Sequence, residues 1–403
     1  MIVAYVKPTN YCNVGCTHCY LPEIVRANKF RMSHDVLAKA GTLIADMQKA
    51  QRKDASLVLW HGGEPLTVPV EWYWEAGEVL DKVLPDNFQA IQTSLIPWRD
   101  EYRDWVIERC GREIGSSIDF SQRQIKGSVE NYHKLWMQKV ERVRGDGINV
   151  VPGVVPTRQE LGREQELVDW FVEREFEVVN LDRYNSYQTY FDDRPNNLEH
   201  SYFLMGLFDA VMERMERDGK APIIGAVKAG IMGVLFQAPG DRWGTTCQSD
   251  FVVVEPDGSL NNCPDKSTVE ENYGNVEGGF QGFAKNSFRR KWLRMQSYGH
   301  KRDHCHGCEN SNWCHSGCPI TPNGVPDGEV ECSGYKTFLT HIRQFITDRG
   351  QAPLLAYLDL DLALREKFSA ASNIYAAAQA GLDTDGAAAA DKAGDKTKEG
   401  AAA

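Results

Sequence analysis

Three cysteines, Cys12, Cys16 and Cys19, stand close together near the start of the chain, in the stretch NYCNVGCTHCY. Three is an odd number for disulfides and one fewer than a closed zinc site requires. Three thiolates can instead hold three irons of a 4Fe–4S cluster and leave the fourth iron open to another ligand. The spacing favours such a cluster, and zinc bound with the help of His18 is the alternative.

A second group of cysteines lies between residues 247 and 332. Its members are Cys247, Cys263, Cys305, Cys308, Cys314, Cys318 and Cys332. The opening MIVAYVKPTN is not a secretory signal, which predicts a reducing cytoplasm where clustered cysteines bind metal. The group predicts further metal centres, and a ribbon with two zinc ions is the alternative to iron–sulfur clusters. Cys110, in VIERCGREI, is left over and is expected to be a buried helical thiol.

The composition argues against nucleic-acid binding and membrane insertion. Of the 403 residues, 42% are hydrophobic and 25% are charged, and the formal net charge is −11. Phosphate recognition needs clustered Lys and Arg, so this acidic chain is expected to bind no nucleic acid. The most apolar stretch, APIIGAVKAGIMGVLFQAP, contains Lys228, three glycines and two prolines. It predicts a buried helix rather than a membrane span.

The first half of the chain alternates strand-like and helix-like segments. In HDVLAKAGTLIADM, for example, apolar residues recur at helical spacing. Six βα units, about thirty residues apart, predict a parallel sheet, either open and doubly wound or an incomplete barrel. In both arrangements ligands bind at the carboxyl ends of the strands. The predicted strands are IVAYVK, SLVLWH, FQAIQT, EIGSSIDF, INVVPGVV and FEVVNL.

The pattern changes after about residue 240. A loop-rich region follows, and helices are predicted at GYKTFLTHIRQFITDR and APLLAYLDLDLALREKF. The last residues, 369–403, are low in complexity and are expected to be disordered.

The order of these motifs resembles a known superfamily. The cysteine triplet after the first strand and GGEP after the second resemble the radical S-adenosylmethionine (SAM) enzymes. The later cysteines resemble the SPASM extension of sulfatase-maturating enzymes and of maturases of ribosomally made peptides. The resemblance covers about residues 1 to 345 and implies a partial (β/α)6 TIM-like barrel with a C-terminal loop-rich iron–sulfur SPASM domain. The implied division is a barrel at 1–238, a SPASM domain at 239–345, a C-terminal helix at 346–368 and a tail at 369–403.

The resemblance implies where the first cluster and the amino acid part of SAM bind. Cys12, Cys16 and Cys19 would ligate a cluster whose open iron chelates SAM. In GGEP, Gly62 and Gly63 would let the backbone approach closely, and Glu64 would face the SAM ammonium. His61 would contact SAM where relatives often carry Gln, or would be a structural histidine at the strand end.

The resemblance also implies contacts to the nucleoside part of SAM. Ser117 and Asp119, at the end of the fourth strand, resemble the ribose-contacting segment. Phe120 departs from this pattern, because relatives usually have Gly after the Asp. Tyr20 and Leu181 are candidates for the adenine pocket, with a place in the core as the alternative for both.

The SPASM pattern implies two auxiliary 4Fe–4S clusters, which makes three clusters with the SAM-binding one. The ligands of one would be Cys305, Cys308, Cys314 and Cys332, and those of the other would be Cys247, Cys263 and Cys318. The second set is one cysteine short, so its fourth iron would be open or bound by an oxygen ligand such as Asp250.

Asp265 is the candidate catalytic base. Sulfatase-maturating relatives carry a catalytic Asp directly after the cysteine that matches Cys263, and Pro264 shifts that register here. A carboxylate there would accept a proton as an electron leaves the substrate. A solvated loop Asp is the alternative, in which case the base would be sought among Asp182, Tyr184 and Asp192.

The implied reaction is reductive cleavage of SAM to a 5′-deoxyadenosyl radical, which abstracts hydrogen from a peptide side chain. Auxiliary clusters would then accept an electron, giving a cross-link or a related oxidation. Maturation of a ribosomally made peptide is favoured over formylglycine formation in a sulfatase. The reasons are the register of Asp265, QTSL in place of QTNG, and the missing cysteine. A non-catalytic iron–sulfur electron carrier is the alternative from another class.

The implied partners follow from this reaction. They are a peptide or protein substrate and a low-potential electron donor such as flavodoxin or ferredoxin. Many peptide maturases carry a leader-binding domain before the barrel, whereas this sequence starts with its first strand. Leader recognition is therefore expected to use another surface or a separate leader-binding protein.

Overall fold

The computed structural model describes residues 1–183, 193–238, 240, 243–244, 246–264, 272–294, 305–318 and 331–369. Its strands are β1 (Ile2–Thr9), β2 (Ser56–Gly62), β3 (Asn87–Thr93), β4 (Glu113–Ser117), β5 (Asn149–Val154), β6 (Val178–Leu181), β7 (Ile223–Ile224), β8 (Phe251–Val254) and β9 (Leu260–Asn261). Within these described residues the nine strands form one sheet, in the order β7-β6-β5-β4-β3-β2-β1-β8-β9. Neighbouring strands are parallel, except that β8 and β9 are antiparallel.

Helices connect the strands and continue after the sheet. They are α1 (Glu23–Arg26), α2 (His34–Gln51), α3 (Val70–Val83), α4 (Arg103–Arg109), α5 (Val129–Gly145), α6 (Glu164–Glu173), α7 (Asn197–Asp218), α8 (Gly225–Phe236), α9 (Thr246–Ser249), α10 (Gly279–Lys285), α11 (Ser287–Arg294), α12 (Ser311–Cys314), α13 (Lys336–Arg349) and α14 (Ala352–Ser369). Short 3-10 turns lie at Pro65–Thr67, Asp100–Tyr102 and Val276–Gly278.

Side-chain caps fix where two of the connecting helices begin. The hydroxyl of Ser33 accepts a hydrogen bond from the backbone of Val36 at the start of α2. The hydroxyl of Ser128 accepts one from the backbone of Asn131 at the start of α5. Such caps satisfy amide groups that have no partner within the helix. The loops after β1 and β4 therefore end at defined points.

The two faces of the sheet are packed differently. On one face, strand residues such as Ile2, Ala4 and Val6 join the helices in one large core. On the other face lies a small separate cluster made by strand residues alone: Leu57, Leu59 and Ala90, with Val3 and Tyr5 against them. A doubly wound sheet would carry helices on both faces. The arrangement is therefore that of an incomplete barrel, which confirms the predicted fold class and all six predicted strands.

The strand β8, four residues long, lies in the region that the sequence pattern predicted to be loop-rich, and this strand was not itself predicted. β8 pairs in parallel with β1, from Val3 opposite Phe251 to Val6 opposite Val254. Its run of valines suits a half-buried strand. The chain therefore returns to the edge of the barrel sheet after α8 and α9.

The C-terminal helices pack against α7 and α8. A side chain at Gly230 or Gly233 of α8 would overlap Phe338 or Trp313, so these glycines allow close packing. Lys228 of α8, 8% exposed, lies 3.3 Å from a carboxylate oxygen of Asp361 in α14. The predicted buried helix is thus confirmed. Across the described ranges, no helix is long and apolar enough to cross a membrane.

The attachment of α14 can be tested at Tyr357. Its buried hydroxyl accepts a hydrogen bond from the Ile224 amide at 2.8 Å and donates one to the Pro222 carbonyl at 3.1 Å. Tyr357→Phe leaves both backbone groups without that partner, so we expect it to lower the free energy of unfolding by about 1–3 kcal/mol. Tyr202→Phe on exposed α7 surface is the control and should change it by about 0.5 kcal/mol or less. Equal denaturant midpoints for the two variants would contradict this account.

Candidate active site

The loop after β1 carries Cys12, Cys16 and Cys19, and backbone hydrogen bonds hold it on two sides. The Cys12 amide donates to the carbonyl of Arg26 at 3.0 Å, within the same loop. The amides of Gly15 and Thr17 donate to carbonyls in the loop after β4, at 3.1 Å each. The cysteine loop is therefore fixed against a second strand-end loop, as expected for the carboxyl end of a parallel sheet.

The thiols of this loop are partly withdrawn from water. Burial, followed by the negative charge of Glu64, raises the pKa of Cys12 to about 12. Burial raises the pKa of Cys16 to about 11, although Arg123 opposes the change. Both groups are neutral thiols at pH 7 in the absence of metal. Metal binding would therefore release protons.

The three thiols of the cysteine loop lie near one another. The charges of Cys16 and Cys19 are close enough to raise the pKa of Cys12. Three thiolates can each bond a different iron of a 4Fe–4S cluster. His18, the fourth ligand of the zinc alternative, is buried, with its Nε2 3.5 Å from Asp119 Oδ2, and burial lowers its pKa to about 4.

Two glycines allow the end of β2 to approach the cysteine loop. A Cβ at Gly62 would overlap the carbonyl oxygen of Thr9, and one at Gly63 would overlap those of Asn10 and Tyr11. Gly62 also has a φ of 128°, which favours glycine. The Gly63 amide donates to the Thr9 carbonyl at 3.1 Å. GGEP thus has a packing role against the loop that precedes Cys12.

Glu64 is buried, and its carboxylate is already hydrogen-bonded within the chain. Oε1 accepts from the Leu66 amide at 3.0 Å and from the Thr93 hydroxyl at 2.5 Å. Oε2 accepts from the amide of Ser94 at 2.8 Å and from its hydroxyl. These contacts tie the loop after β2 to the loop after β3. Groups of the chain itself thus already donate to both carboxylate oxygens of Glu64. The predicted contact between Glu64 and a ligand ammonium stays a prediction.

His61 lies on the face of the sheet that the helices leave open. Its ring centroid lies 5.2 Å from that of Tyr5, and the two rings are tilted by 30°. Burial, followed by the positive charges of Lys7 and Arg123, lowers its pKa to about 3, so the ring is neutral. Its Nδ1 has no hydrogen-bond partner among the described residues. The buried Nδ1 of His61 is therefore a polar atom whose hydrogen-bonding capacity the described residues leave unused.

The loop after β4 is organised by Asp119. This residue has a φ of 32° and is buried. Its Oδ1 accepts from the Val155 amide at 2.6 Å, and its Oδ2 accepts from Arg123 Nε at 2.5 Å. Ser117, at the end of β4, accepts from Gln92 Nε2 at 2.9 Å. Phe120 turns toward the helices, with its ring 5.0 Å from that of Trp170.

Two cations near the cysteine loop were not singled out from the sequence. Arg123 Nη1 lies 3.5 Å from the sulfur of Cys16. Lys7 is fully buried, with Nζ 2.7 Å from Glu255 Oε1 and 5.1 Å above the ring of Tyr20. The sequence signal that could have indicated them is their position, since Lys7 lies near the end of β1 and Arg123 lies in the loop after β4. These contacts place Tyr20 beside β1.

Glu255 also joins the hairpin of β8 and β9 to the cysteine loop. Its Oε2 accepts from Asn10 Nδ2 at 3.0 Å. Leu181, in contrast, is 8% exposed within the core between sheet and helices. The structure thus brings the ends of the first four strands together and places Leu181 with the core side chains.

Several later cysteines come together around α12 and the turn before α13. A Cβ at Gly334 would contact the sulfurs of both Cys314 and Cys332, so these sulfurs are neighbours. Burial, followed by the charge of Cys332, raises the pKa of Cys314 to about 12, and Cys308 adds to the effect. Cys305 Sγ lies 3.4 Å from the hydroxyl of Ser316, in the turn after Cys314. These contacts bring Cys314 and Cys332 together, with Cys308 near enough for its charge to act on Cys314.

Cys247 and Cys263 flank the β8–β9 hairpin. The side chain of Asn262 donates to the carbonyl of Cys247 at 3.2 Å, which joins the two segments. Because β8 runs parallel to β1, both cysteines lie at the amino end of the sheet, opposite the first cysteine loop. Asp250 is 3.3 Å from Lys53 at that end. Cys318 is partly buried against the core.

The remaining predicted residues are placed as follows. Cys110 is 1% exposed, which confirms the buried thiol. Asp182, just after β6, donates its amide to the Val154 carbonyl at 2.8 Å. Asp265, Tyr184 and Asp192 lie outside the described residues.

Curated proteins match only parts of the chain. It is 32% identical over 158 residues to the serine-type anaerobic sulfatase-maturating enzyme of Bacteroides thetaiotaomicron, across 36% of this chain and 35% of that protein. It is 28% identical over 116 residues to an uncharacterized protein of Archaeoglobus fulgidus, across 29% of this chain and 25% of that protein. The chain thus spans 25% to 35% of the length of these two relatives. No protein-family model matches it.

Solved structures match most of the chain. The structure of anSMEcpe with bound AdoMet and Cp18Cys peptide has a TM-score of 0.70 at 16% identity, across 88% of this chain and 98% of that one. The structure of SuiB from Streptococcus suis, bound to precursor peptide SuiA, has a TM-score of 0.59 at 14% identity, across 79% and 72%. The chain therefore has the fold of these proteins. This agrees with the resemblance of its motifs to radical SAM enzymes with a SPASM extension.

The contact at Gly63 can be tested by substitution. Gly63→Ala places a methyl group against the Asn10 and Tyr11 carbonyls, so we expect it to lower the free energy of unfolding by about 1–3 kcal/mol or more. Gly145→Ala is the control, because a Cβ there, at the end of α5, meets no atom within 4 Å. Denaturant unfolding of identically prepared proteins is the measurement. If the two variants are equally stable, the packing role of Gly63 is wrong.

Proposed function

We propose that the protein is a radical SAM enzyme that oxidatively modifies a side chain of a peptide or protein. The observation that carries the proposal is the cysteine loop, held at the carboxyl end of a parallel sheet between the Gly62–Gly63 turn and the loop after β4. An electron carrier would need the thiols alone. The unused Nδ1 of His61 supports an enzyme, because a bound ligand could supply the hydrogen-bond partner that this buried nitrogen lacks among the described residues.

Cys12, Cys16 and Cys19 would hold the SAM-binding 4Fe–4S cluster. When bound, that cluster would supply the electron that cleaves SAM to methionine and a 5′-deoxyadenosyl radical. Arg123 would donate a hydrogen bond to the sulfur of Cys16, and Asp119 would keep the guanidinium in place. The charged pair of Arg123 and Asp119 would thus hold the Cys16 sulfur in one position as a cluster ligand.

The open face of the sheet would receive the substrate. Its apolar cluster, built around Leu57, Leu59 and Ala90, would exclude water from a reactive radical. At the carboxyl end, His61 and Ser117 would contact SAM, and Gln92 beside them offers a polar side chain that can orient a peptide. Gln92 already donates to Ser117, so a substrate would meet a preformed pair.

The favoured substrate is a ribosomally made peptide, which would make the protein a peptide maturase. The sequence of the turn after β3 supports it, because QTSL stands where the sulfatase-maturating pattern has QTNG. Solved SuiB, which has the same fold, is bound to a precursor peptide. Formylglycine formation in a sulfatase is the second candidate, and the curated relative from Bacteroides thetaiotaomicron favours it.

Two auxiliary 4Fe–4S clusters would accept the substrate electron. The neighbouring sulfurs of Cys314 and Cys332 support one of them, with Cys305 and Cys308 as its other ligands. The hydrogen bond from the Asn262 side chain to the Cys247 carbonyl holds Cys247 near Cys263, which supports a second cluster with Cys247, Cys263 and Cys318 as ligands. Asp265, two residues after Cys263, would accept the substrate proton.

Replacing Cys12, Cys16 and Cys19 with Ala tests the role of the first loop. Anaerobically reconstituted wild-type protein should hold three clusters, or about twelve irons, and convert SAM to 5′-deoxyadenosine when reduced. The triple variant should lose about four irons and all nucleoside formation. Cys110→Ala, which removes a thiol outside both groups, should keep its iron and its activity. Nucleoside formation by the triple variant would refute the assignment.

The product decides between the two substrates. The purified enzyme is incubated with SAM, reductant and either a sulfatase peptide or a short precursor peptide found by reading the genes beside its own. Oxidation of a serine to an aldehyde and formation of a cross-link both remove two hydrogens, so mass spectrometry is combined with a hydrazide reagent that labels only the aldehyde. Modification of the sulfatase peptide alone would overturn the favoured class.

Asp265→Asn tests the proposed base. The amide has nearly the same shape but accepts no proton at neutral pH, so we expect modified product to fall by about a hundred- to ten-thousand-fold. Hydrogen abstraction precedes this step, so 5′-deoxyadenosine should still form. Asp54→Asn, at an exposed position, is the control. Normal product yield from Asp265→Asn would move the search for the base to Asp182, Tyr184 and Asp192.

A further inference from the structure

The surface around the cysteine loop differs in charge from the rest of the chain. The whole sequence has 45 Lys and Arg against 56 Asp and Glu. Segment 22–31 has three cations and one carboxylate, and segment 122–127 has two cations and no carboxylate. Both segments contact the cysteine loop through backbone hydrogen bonds, one at Cys12 and the other at Gly15 and Thr17. Positive charge is therefore concentrated on both sides of the thiols.

Four of these cations form the cationic rim: Arg26, Lys29, Arg31 and Lys126. No ion pair formed between described residues includes any of them. Lys29, Arg31 and Lys126 are exposed, and Arg26 is half-buried. Lys29 lies 5.5 Å above the ring of Tyr11, which leaves its charge unneutralised, so the four charges are available to a partner.

Apolar side chains stand within the same surface. Ile24 is 83% exposed and Phe30 is 53% exposed, although both are large and apolar. The backbone between the two cationic segments is also exposed at Asn13, Gly15 and Thr17. An apolar centre with a charged rim is typical of a protein interface. Large apolar side chains grouped on a surface indicate a contact site.

We propose that this surface docks a small acidic protein that carries one electron, and the proposal rests on the proposed function. Each reductive cleavage of SAM consumes one electron, and the reduced carrier would supply it by its own one-electron oxidation. Most of this acidic chain repels an acidic carrier, whereas the cationic rim attracts it. A carrier bound at Ile24 and Phe30 would lie on segment 22–31, which is joined to the cysteine loop by the hydrogen bond from the Cys12 amide to the Arg26 carbonyl. Electron-transfer complexes are small and transient, which suits a surface of this extent.

Zero-length cross-linking tests the docking position. Oxidised flavodoxin is the probe, and carbodiimide activation joins its carboxylates to lysines within contact distance. The holoenzyme should yield cross-links at Lys29 and Lys126. Lys49 and Lys220 are matched controls within the same experiment, because both are exposed and lie at the amino end of the sheet. Cross-links at the control lysines alone would overturn the proposal.

Charge reversal gives a quantitative test. Lys29→Glu/Lys126→Glu changes the charge by four units, and so does the control Lys49→Glu/Lys220→Glu. We expect the rim variant to raise the Kd for flavodoxin at least about tenfold at low salt, and by less at high salt, since salt screens surface charge. The control variant should match wild type. Equal Kd values for both variants would overturn the docking surface.

Two further measurements separate this proposal from the proposed function. With photoreduced deazaflavin, a small uncharged reductant, both variants should form 5′-deoxyadenosine at the wild-type rate. Failure of the wild-type protein in that assay would refute the SAM enzyme, whatever the flavodoxin result. If the rim variant keeps its flavodoxin affinity but binds the peptide substrate more weakly, the surface belongs to the substrate and the proposal is wrong.

Discussion

The candidate site depends on one close contact between backbones. The end of β2 approaches the loop after β1 so closely that residues 62 and 63 have no room for a Cβ atom. Hydrogen bonds from the amides of Gly63 and Glu64 to the carbonyls of Thr9 and Tyr11 fix the contact. The cysteine loop starts directly after this point. Its position relative to the sheet is therefore set by main-chain geometry, which leaves less freedom than side-chain packing does.

Buried carboxylates extend this contact to the neighbouring strands. Glu64 links the end of β2 to Thr93 and Ser94 at the end of β3. Asp119 links the loop after β4 to the end of β5 through the Val155 amide. A buried carboxylate is stable only when donors surround it, so each acid gathers the groups near it. The ends of five adjacent strands thus form one connected unit, in which moving one loop would expose the acid of the next.

Much of the fold could be predicted from the sequence because its signals are local. Alternating strands and helices, the cysteine spacings and the strand-end position of GGEP all appear within short windows. The core place of Leu181 was left open, since a strand residue faces the core or the open side according to a register that pairing decides. The strand β8 was missed because four residues between turns resemble a loop. Its pairing with β1 depends on a partner about 250 residues earlier, in the register of Val3 with Phe251.

The contacts of Arg123 and Lys7 could not be predicted for a related reason. Each cation binds an atom on another element, Cys16 in one case and Glu255 in the other. The residue type gives the charge but not the partner, because many carboxylates and thiols in the sequence would serve equally well. Only the assembled sheet brings these partners within hydrogen-bonding distance.

The hairpin of β8 and β9 sets the distance between the first cysteine loop and the pair Cys247 and Cys263. At one end Glu255 accepts hydrogen bonds from Lys7 and Asn10 beside the first cysteine loop. At the other end lie Cys247 and Cys263, joined by the hydrogen bond from Asn262 to the Cys247 carbonyl. A strand rises about 3.3 Å per residue, so four residues set a span of roughly 13 Å. Substitutions in β8 leave this length unchanged, whereas one inserted residue would lengthen it and turn the Glu255 side chain to the opposite face. The distance between the first cysteine loop and the pair Cys247 and Cys263 therefore depends on how many residues β8 has and not on which residues they are.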